Sequence, residues 1–147
     1  MGSRDWAAGL AARRPFADLQ SFLAASDEIW KQLEAADWME AFSKHPRIGQ
    51  HNAPTGVSSQ SAAWSVQEQQ RAAHSPEAVK SSLLEANREY EQRFGRVFIV
   101  FATGKSAAEM LDILHRRLQN DDAAELRAAA EEQRKITNLR LEKWLSQ

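Results

Sequence analysis

Apolar residues recur at three- and four-residue intervals through the first third of the chain, which predicts three short helices there. Ser26 and Asp27 separate the first two apolar groups, and their side-chain oxygens suit the start of a helix; Asp37 has the same position before the third group. The three groups are Phe16, Leu19, Phe22 and Leu23, then Ile29, Trp30 and Leu33, then Trp38, Met39 and Phe42.

The third helix should end near Lys44, because a residue that precedes a proline is disfavoured in the helical conformation and His45 precedes Pro46. Residues 50–61 are rich in Asn, Pro, Thr, Gly and Ser without any period, which predicts a long loop. His45 is therefore expected at a helix end that opens into a loop, where a side chain can face a pocket.

Helix-start signals divide the second half of the chain. Ser65 with Glu68 has the capping-box spacing, as does Ser106 with Glu109, and Ser75-Pro76 and the acidic residues near Asp122 mark two further starts. The apolar stripes that follow these starts are Val79, Leu83, Ala86, Tyr90 and Phe94, then Ala107, Met110, Leu111, Leu114 and Leu118, then Leu126, Ala130, Ile136 and Leu139.

Residues 97–102 form a short apolar run that suits either a buried strand or an extended buried connector. No second strand pattern is present to pair with it, so its backbone groups must find other partners, of which a ligand is one. With the helix signals, this predicts an all-α fold: a single-domain bundle of about seven to eight short helices over residues 1–147.

Composition narrows the class of protein. Nineteen basic residues against twenty acidic ones give a formal charge of -1, which argues against nucleic-acid and anionic-membrane partners. The chain has no cysteine, which excludes disulfides and thiolate chemistry. No stretch reaches the roughly 20 apolar residues of a membrane span, and no signal peptide is apparent, so the expected location is cytoplasmic.

The residues offer few sites of chemistry by spacing alone. None of the four histidines has another at the spacing that places two metal ligands on one helical face, and no phosphate loop, nucleophile elbow or dinucleotide fingerprint is present. His45 is favoured as functional because of its position. By spacing alone, Glu68 is a capping-box residue and Arg140 a surface arginine whose stem lies along the core beside Ile136. The pair Arg116-Arg117 is interpreted as solvated charge.

Several ordered motifs resemble one family. His45-Pro46-Arg47-Ile48-Gly49 is similar to the hallmark of the 2-oxo-4-hydroxy-4-carboxy-5-ureidoimidazoline (OHCU) decarboxylases, and Ser65-Val66-Gln67-Glu68-Gln69 to their Ser-x-x-Glu-Gln element. Residues 90–100 resemble the Tyr-x-x-Arg-Phe-Gly segment with its apolar run. The resemblance continues through residues 102–106, 117–120 and 135–141. Two departures are Phe101, where relatives often have a smaller residue, and an N-terminal helix that we expect to be largely missing before Arg14-Pro15-Phe16.

The resemblance implies a cofactor-free, metal-free carboxy-lyase, all-helical and homodimeric, which converts the ureidoimidazoline to (S)-allantoin in urate degradation. His45 is then the acid/base group, Glu68 the carboxylate that faces the substrate, and Arg140 the holder of an anionic or carbonyl oxygen. The implied substrate contacts are Pro46, Ser65, Val66, Gln67, Glu68, Gln69, Phe98, Ile99, Val100, Phe101, Ala102 and Arg140.

Two alternatives remain open at this point. The amphipathic helices and the five tryptophans also suit a non-enzymatic protein-interaction module. The same motifs also suit a decarboxylase of a related ureido acid, and the sequence does not show which of the two substrates is used. Binding of allantoin or a urate analogue by the folded protein would discriminate the enzyme from the interaction module.

Overall fold

A computed structural model describes residues 3–45 and 77–146 of the chain. This part is helical and has no strand, which confirms the predicted all-α class. Its helices are α1 (Arg4–Ala12), α2 (Leu19–Gln32), α3 (Ala35–Phe42), α4 (Glu77–Phe94), α5 (Ala107–Arg117) and α6 (Asp122–Leu145). The helix predicted to begin at Ser65 lies outside the described residues. No helix in the described part is both long and apolar enough to cross a membrane.

Two apolar clusters make up the core of the described part of the chain. In the first, α4 packs against α5 around residues such as Tyr90 and Met110, neither of which is exposed. In the second, α1, α2 and α3 gather against α6, with Phe42 and Ala129 among the buried side chains. Residues 98–102 run between the clusters.

The apolar run at residues 98–102 is an extended connector and not a strand. Phe98, Val100 and Ala102 pack into the first cluster, whereas Ile99 and Phe101 belong to the second. This alternation is the period of two that an extended backbone gives. The connector therefore joins the two halves of the core without needing a partner strand.

Side-chain caps fix several helix starts where the sequence predicted them. Ser106 Oγ accepts the Glu109 amide at 3.1 Å at the start of α5, and Asp121 Oδ1 accepts the Ala124 amide at 2.7 Å at the start of α6. The helix before the connector, α4, ends at Phe94, and Gly95 directly after it has a φ of 70°, the left-handed conformation common after a helix.

Three expectations for the N-terminal third were wrong. Residues 16–33 contain one helix, α2, instead of two, because the Ser26 hydroxyl accepts the Trp6 indole N–H at 3.0 Å and caps no helix. Asp37 lies inside α3, where its carboxylate accepts the Glu34 amide at 3.3 Å. The helix α1, which we expected to be largely missing, packs on α2 through Trp6 and Leu10.

Candidate functional site

His45 lies just beyond the end of α3. The side chain of Phe42, which is 1% exposed, anchors the last turn of α3, and the His45 amide donates to the Phe42 carbonyl at 3.1 Å. His45 itself is partly buried. The predicted position of His45 at a helix end is therefore confirmed.

A polar stripe on α6 faces His45. The stripe consists of Gln133, Thr137 and Arg140, which lie at the spacing that places side chains on one helical face. All three are buried, with exposed fractions of 2%, 6% and 5%. Three buried polar side chains in one row indicate a site, because the interior of a helix pair normally takes apolar residues there.

Hydrogen bonds join His45 to this stripe. The His45 ring nitrogen Nε2 donates to Oε1 of Gln133, and the Gln133 amide nitrogen donates to the Thr137 hydroxyl at 3.1 Å. In this arrangement the carbonyl end of the Gln133 amide is turned to His45. Gln133 and Thr137 were missed by sequence reasoning, although their spacing from Arg140 was the signal that could have found them.

The environment of His45 favours the neutral ring. Burial and the positive charge of Arg140 lower the pKa of His45 to about 3, against the opposing effect of the hydrogen bond to Gln133. The ordinary pKa of a histidine is near 6.5. At neutral pH His45 therefore begins as an uncharged base and not as a proton donor.

Arg140 is not the surface arginine that spacing alone favoured. Its side chain is 5% exposed, and its charge is near enough to affect His45. A buried guanidinium that faces a neutral imidazole makes the local potential positive, which suits an anionic ligand. The structure thus brings His45 and Arg140, two of the three predicted catalytic residues, to one place.

The connector is held from both sides by side chains of the bundle. Arg117 donates to the Ile99 carbonyl, the Phe101 amide donates to Glu132 at 3.1 Å, and Lys105 donates to the Phe101 carbonyl at 2.7 Å. These bonds engage three backbone groups of the segment predicted to contact substrate. The same bonds fix the position of the rest of it.

A buried ion pair supports this arrangement. Arg117 Nε lies 2.7 Å from Oε1 of Glu125, and the Tyr90 hydroxyl donates to Oε2 of Glu125 at 3.0 Å. Burial is the main cause that raises the pKa of Tyr90 to about 12, and the negative charge of Glu125 adds to it. The phenol therefore keeps its proton. The interpretation of Arg117 as solvated charge was wrong, since it is 8% exposed, whereas Arg116 beside it is exposed.

The remaining predicted site residues lie outside the described residues. They are Pro46, Ser65, Val66, Gln67, Glu68 and Gln69. Among the described residues, His115 is exposed. No group of three or more metal-ligating side chains occurs within residues 3–45 and 77–146.

Residues 1–142 match the model of the OHCU decarboxylase family. The uric acid degradation bifunctional protein TTL of Arabidopsis thaliana is 38% identical over 146 residues, which are 99% of this chain and 45% of that protein. The 2-oxo-4-hydroxy-4-carboxy-5-ureidoimidazoline decarboxylase of Amia calva is 29% identical over 137 residues, 92% of this chain and 77% of that one.

A bifunctional relative from Bacillus is 29% identical over 132 residues, 88% of this chain and 25% of its own length. The chain thus spans less than half of the two bifunctional relatives. A crystal structure of OHCU decarboxylase in the presence of (S)-allantoin superimposes with a TM-score of 0.83 at 36% identity, covering 99% of this chain and 94% of that one. Because the family model matches almost the whole sequence and the fold agrees, the chain belongs to the OHCU decarboxylase family.

Proposed function

We propose that this protein decarboxylates 2-oxo-4-hydroxy-4-carboxy-5-ureidoimidazoline to (S)-allantoin, the last step from urate to allantoin in purine catabolism. The observation that carries the proposal is the neutral His45 beside the buried charge of Arg140, in a chain of this family. Such a pair offers a base and an anion-binding group at one point, and the substrate has both an acidic hydroxyl and a carboxylate.

Decarboxylation of this substrate needs no external electron sink. When the bond between the ring carbon and the carboxylate breaks, its electron pair moves into the neighbouring imine and carbon dioxide leaves. The 4-hydroxyl group loses its proton, and its carbon becomes the carbonyl carbon of allantoin. The adjacent ring carbon gains a proton, and the imine nitrogen takes another proton from water. The protein has to orient the ring and move one proton stereospecifically.

His45 is suited to move that proton. Being neutral at the start, it accepts the proton of the 4-hydroxyl and returns it to one face of the adjacent ring carbon. Arg140 holds a planar oxygen pair of the substrate with its fork of donors. An anionic substrate beside His45 also raises the pKa of the imidazole, which makes proton uptake easier in the complex than in the free protein.

Glu68 is proposed to orient His45 or the ureido nitrogens, with Pro46, Ser65, Val66, Gln67 and Gln69 completing the pocket. The connector residues Phe98, Ile99, Val100, Phe101 and Ala102 are proposed to contact the imidazoline or ureido groups through the backbone, apart from the Phe101 amide, which donates to Glu132. The fixed position of the connector supports this, because a rigid segment can present hydrogen-bonding groups at constant distances.

We also propose a cytoplasmic homodimer. The side chains of Trp144 and Leu145 at the end of α6 are 53% and 49% exposed, which is unusual for large apolar residues and suits a contact between copies. Sedimentation velocity of the wild type and of the Trp144→Ser variant tests this. A monomer in both would exclude the dimer.

The decisive experiment uses circular dichroism to measure the formation of (S)-allantoin, while urate oxidase and hydroxyisourate hydrolase generate the unstable substrate in situ. We expect rapid appearance of (S)-allantoin with the wild type and a loss of at least about 100-fold in rate with His45→Ala. His115→Ala, which removes an exposed histidine, is the matched control and should keep full activity. Slow racemic product with the wild type would mean another ureido acid substrate or no catalysis.

A further inference from the structure

We infer that Gln133 is a positioning residue that holds the His45 ring in a single tautomer, with the proton on Nε2 and the lone pair on Nδ1. This inference rests on the proposed function for its catalytic consequence. Its structural part stands on the hydrogen bonds of residues 45, 133 and 137 alone.

The Gln133 amide has two different ends, and in the structure the carbonyl end faces His45. Thr137 receives the amide nitrogen at 3.1 Å, which leaves the carbonyl oxygen for the imidazole. A carbonyl oxygen is an acceptor only, so the ring nitrogen that it contacts must carry hydrogen. In a neutral imidazole the other nitrogen, Nδ1, then has the lone pair.

Burial makes this choice costly to reverse. Gln133 is 2% exposed and Thr137 6%, so little water is available to replace a lost hydrogen bond. If the ring adopted the other tautomer while the Gln133 amide kept its bond to Thr137, the Nε2 lone pair would face the Gln133 oxygen and two acceptors would repel each other. The stripe on α6 thus determines which ring nitrogen acts as the base.

The consequence for the reaction is geometric. A base must present its lone pair to the proton that it removes, and the wrong tautomer presents an N–H instead. Gln133 therefore acts through His45 and need not touch the substrate. Its removal should lower kcat while leaving KM nearly unchanged, because substrate binding depends on other groups.

The test uses the full chain with nitrogen-15 in its histidine rings. A long-range proton–nitrogen spectrum reports which ring nitrogen carries hydrogen, and His45 is identified among the four histidines by its absence from His45→Gln. The wild type should show the Nε2–H form. Gln133→Met, which keeps the length of the side chain but removes the acceptor, should show a mixture of tautomers and about 10- to 100-fold lower kcat.

Two further variants separate positioning from general damage. Gln133→Glu keeps an acceptor at the same place, so Nε2 should keep its hydrogen even if Gln133→Met folds poorly. Gln92→Met, on the exposed face of α4, controls for the substitution itself and should match the wild type. Wild-type kcat and tautomer in Gln133→Met, or a His45 ring without hydrogen on Nε2 in the wild type or in Gln133→Glu, would overturn the inference. A wild type that has the Nε2–H form but makes no (S)-allantoin would overturn the proposed function and leave the tautomer assignment standing.

Discussion

At the scale of single residues, the site depends on the partly buried His45 and the buried Arg140. A neutral histidine loses its ordinary tendency to take up a proton, and a buried guanidinium keeps its charge in a place with little water. Each has polar neighbours on one helix face, which is how buried polar groups are normally accommodated. An anionic ligand adds a negative charge that attracts the Arg140 guanidinium and favours protonation of His45.

The lowered pKa of His45 should affect folding stability. Since the pKa is about 3 in the folded chain and near 6.5 in the unfolded one, the unfolded chain binds the extra proton between these values. The free energy of unfolding should therefore fall as pH decreases below 6.5, by up to about 1.4 kcal/mol per pH unit from this group. Urea unfolding at several pH values measures it.

The variant His45→Gln lacks this titration and provides the comparison for that measurement. Its free energy of unfolding should depend less on pH between 6.5 and 4.5 than that of the wild type. If the free energy of unfolding depended on pH in the same way in both proteins, His45 would have the same pKa in the folded and the unfolded chain.

Arg140 should contribute through the shape of its donors as well as through its charge. Arg140→Lys keeps a positive charge but offers no planar pair of N–H groups. We expect kcat/KM to fall by about 10- to 100-fold, because hydrogen bonds to charged groups contribute about 1.5–3 kcal/mol. Steady-state kinetics with substrate generated in situ test this. If lysine supports full activity, charge alone is sufficient at position 140.

At the scale of elements, the connector depends on a side chain from α5. Arg117 reaches both the Ile99 carbonyl and Glu125 of α6, so it joins the connector to two helices. This explains two residues of the family resemblance, Tyr90 and Arg117, that have no assigned role in the chemistry. Both side chains bind Glu125.

Removing one partner of the buried ion pair should be costly. Arg117→Met leaves the Glu125 carboxylate buried without its cation, and we expect a loss of about 3–5 kcal/mol in the free energy of unfolding. The double variant with Glu125→Leu should recover part of the loss, since no buried charge remains. Urea unfolding provides the measurement.

The neighbouring Arg116 gives a matched control for the ion pair, because it is exposed on the same helix. Arg116→Met should change stability by no more than about 0.5 kcal/mol. Equal losses at positions 116 and 117 would contradict a special role for Arg117.

At the scale of the whole molecule, ligand binding should stabilise the folded chain in a stereoselective manner. A ligand that binds only the native state, at 100 times its Kd, adds about 2.7 kcal/mol to the free energy of unfolding. We therefore expect (S)-allantoin to raise Tm more than (R)-allantoin in a thermal melt. Equal effects of the two enantiomers, or none, would favour the alternative of an interaction module.

The amphipathic patterns were sufficient for the later helices. Apolar spacing and side-chain caps predicted α5 and α6 because these signals are local: Ser106 and Asp121 cap the helices that immediately follow them. The helix start predicted at Ser26 was wrong because the contact that Ser26 makes is not local. Its hydroxyl has a distant partner, the Trp6 indole, which no local pattern reveals. That the chain forms a single domain stays a prediction.

By itself, the sequence determined the helical class, the helix end at His45 and the family motifs, since these depend on short-range spacing. Only the tertiary structure decided the state of the site. The neutrality of His45, the burial of Arg140 and the roles of Gln133 and Arg117 arise from groups that α6, α5 and the connector bring together from distant positions. Burial and charge act through space, so their effects on a pKa or a tautomer follow from the packing and not from the order of residues along the chain.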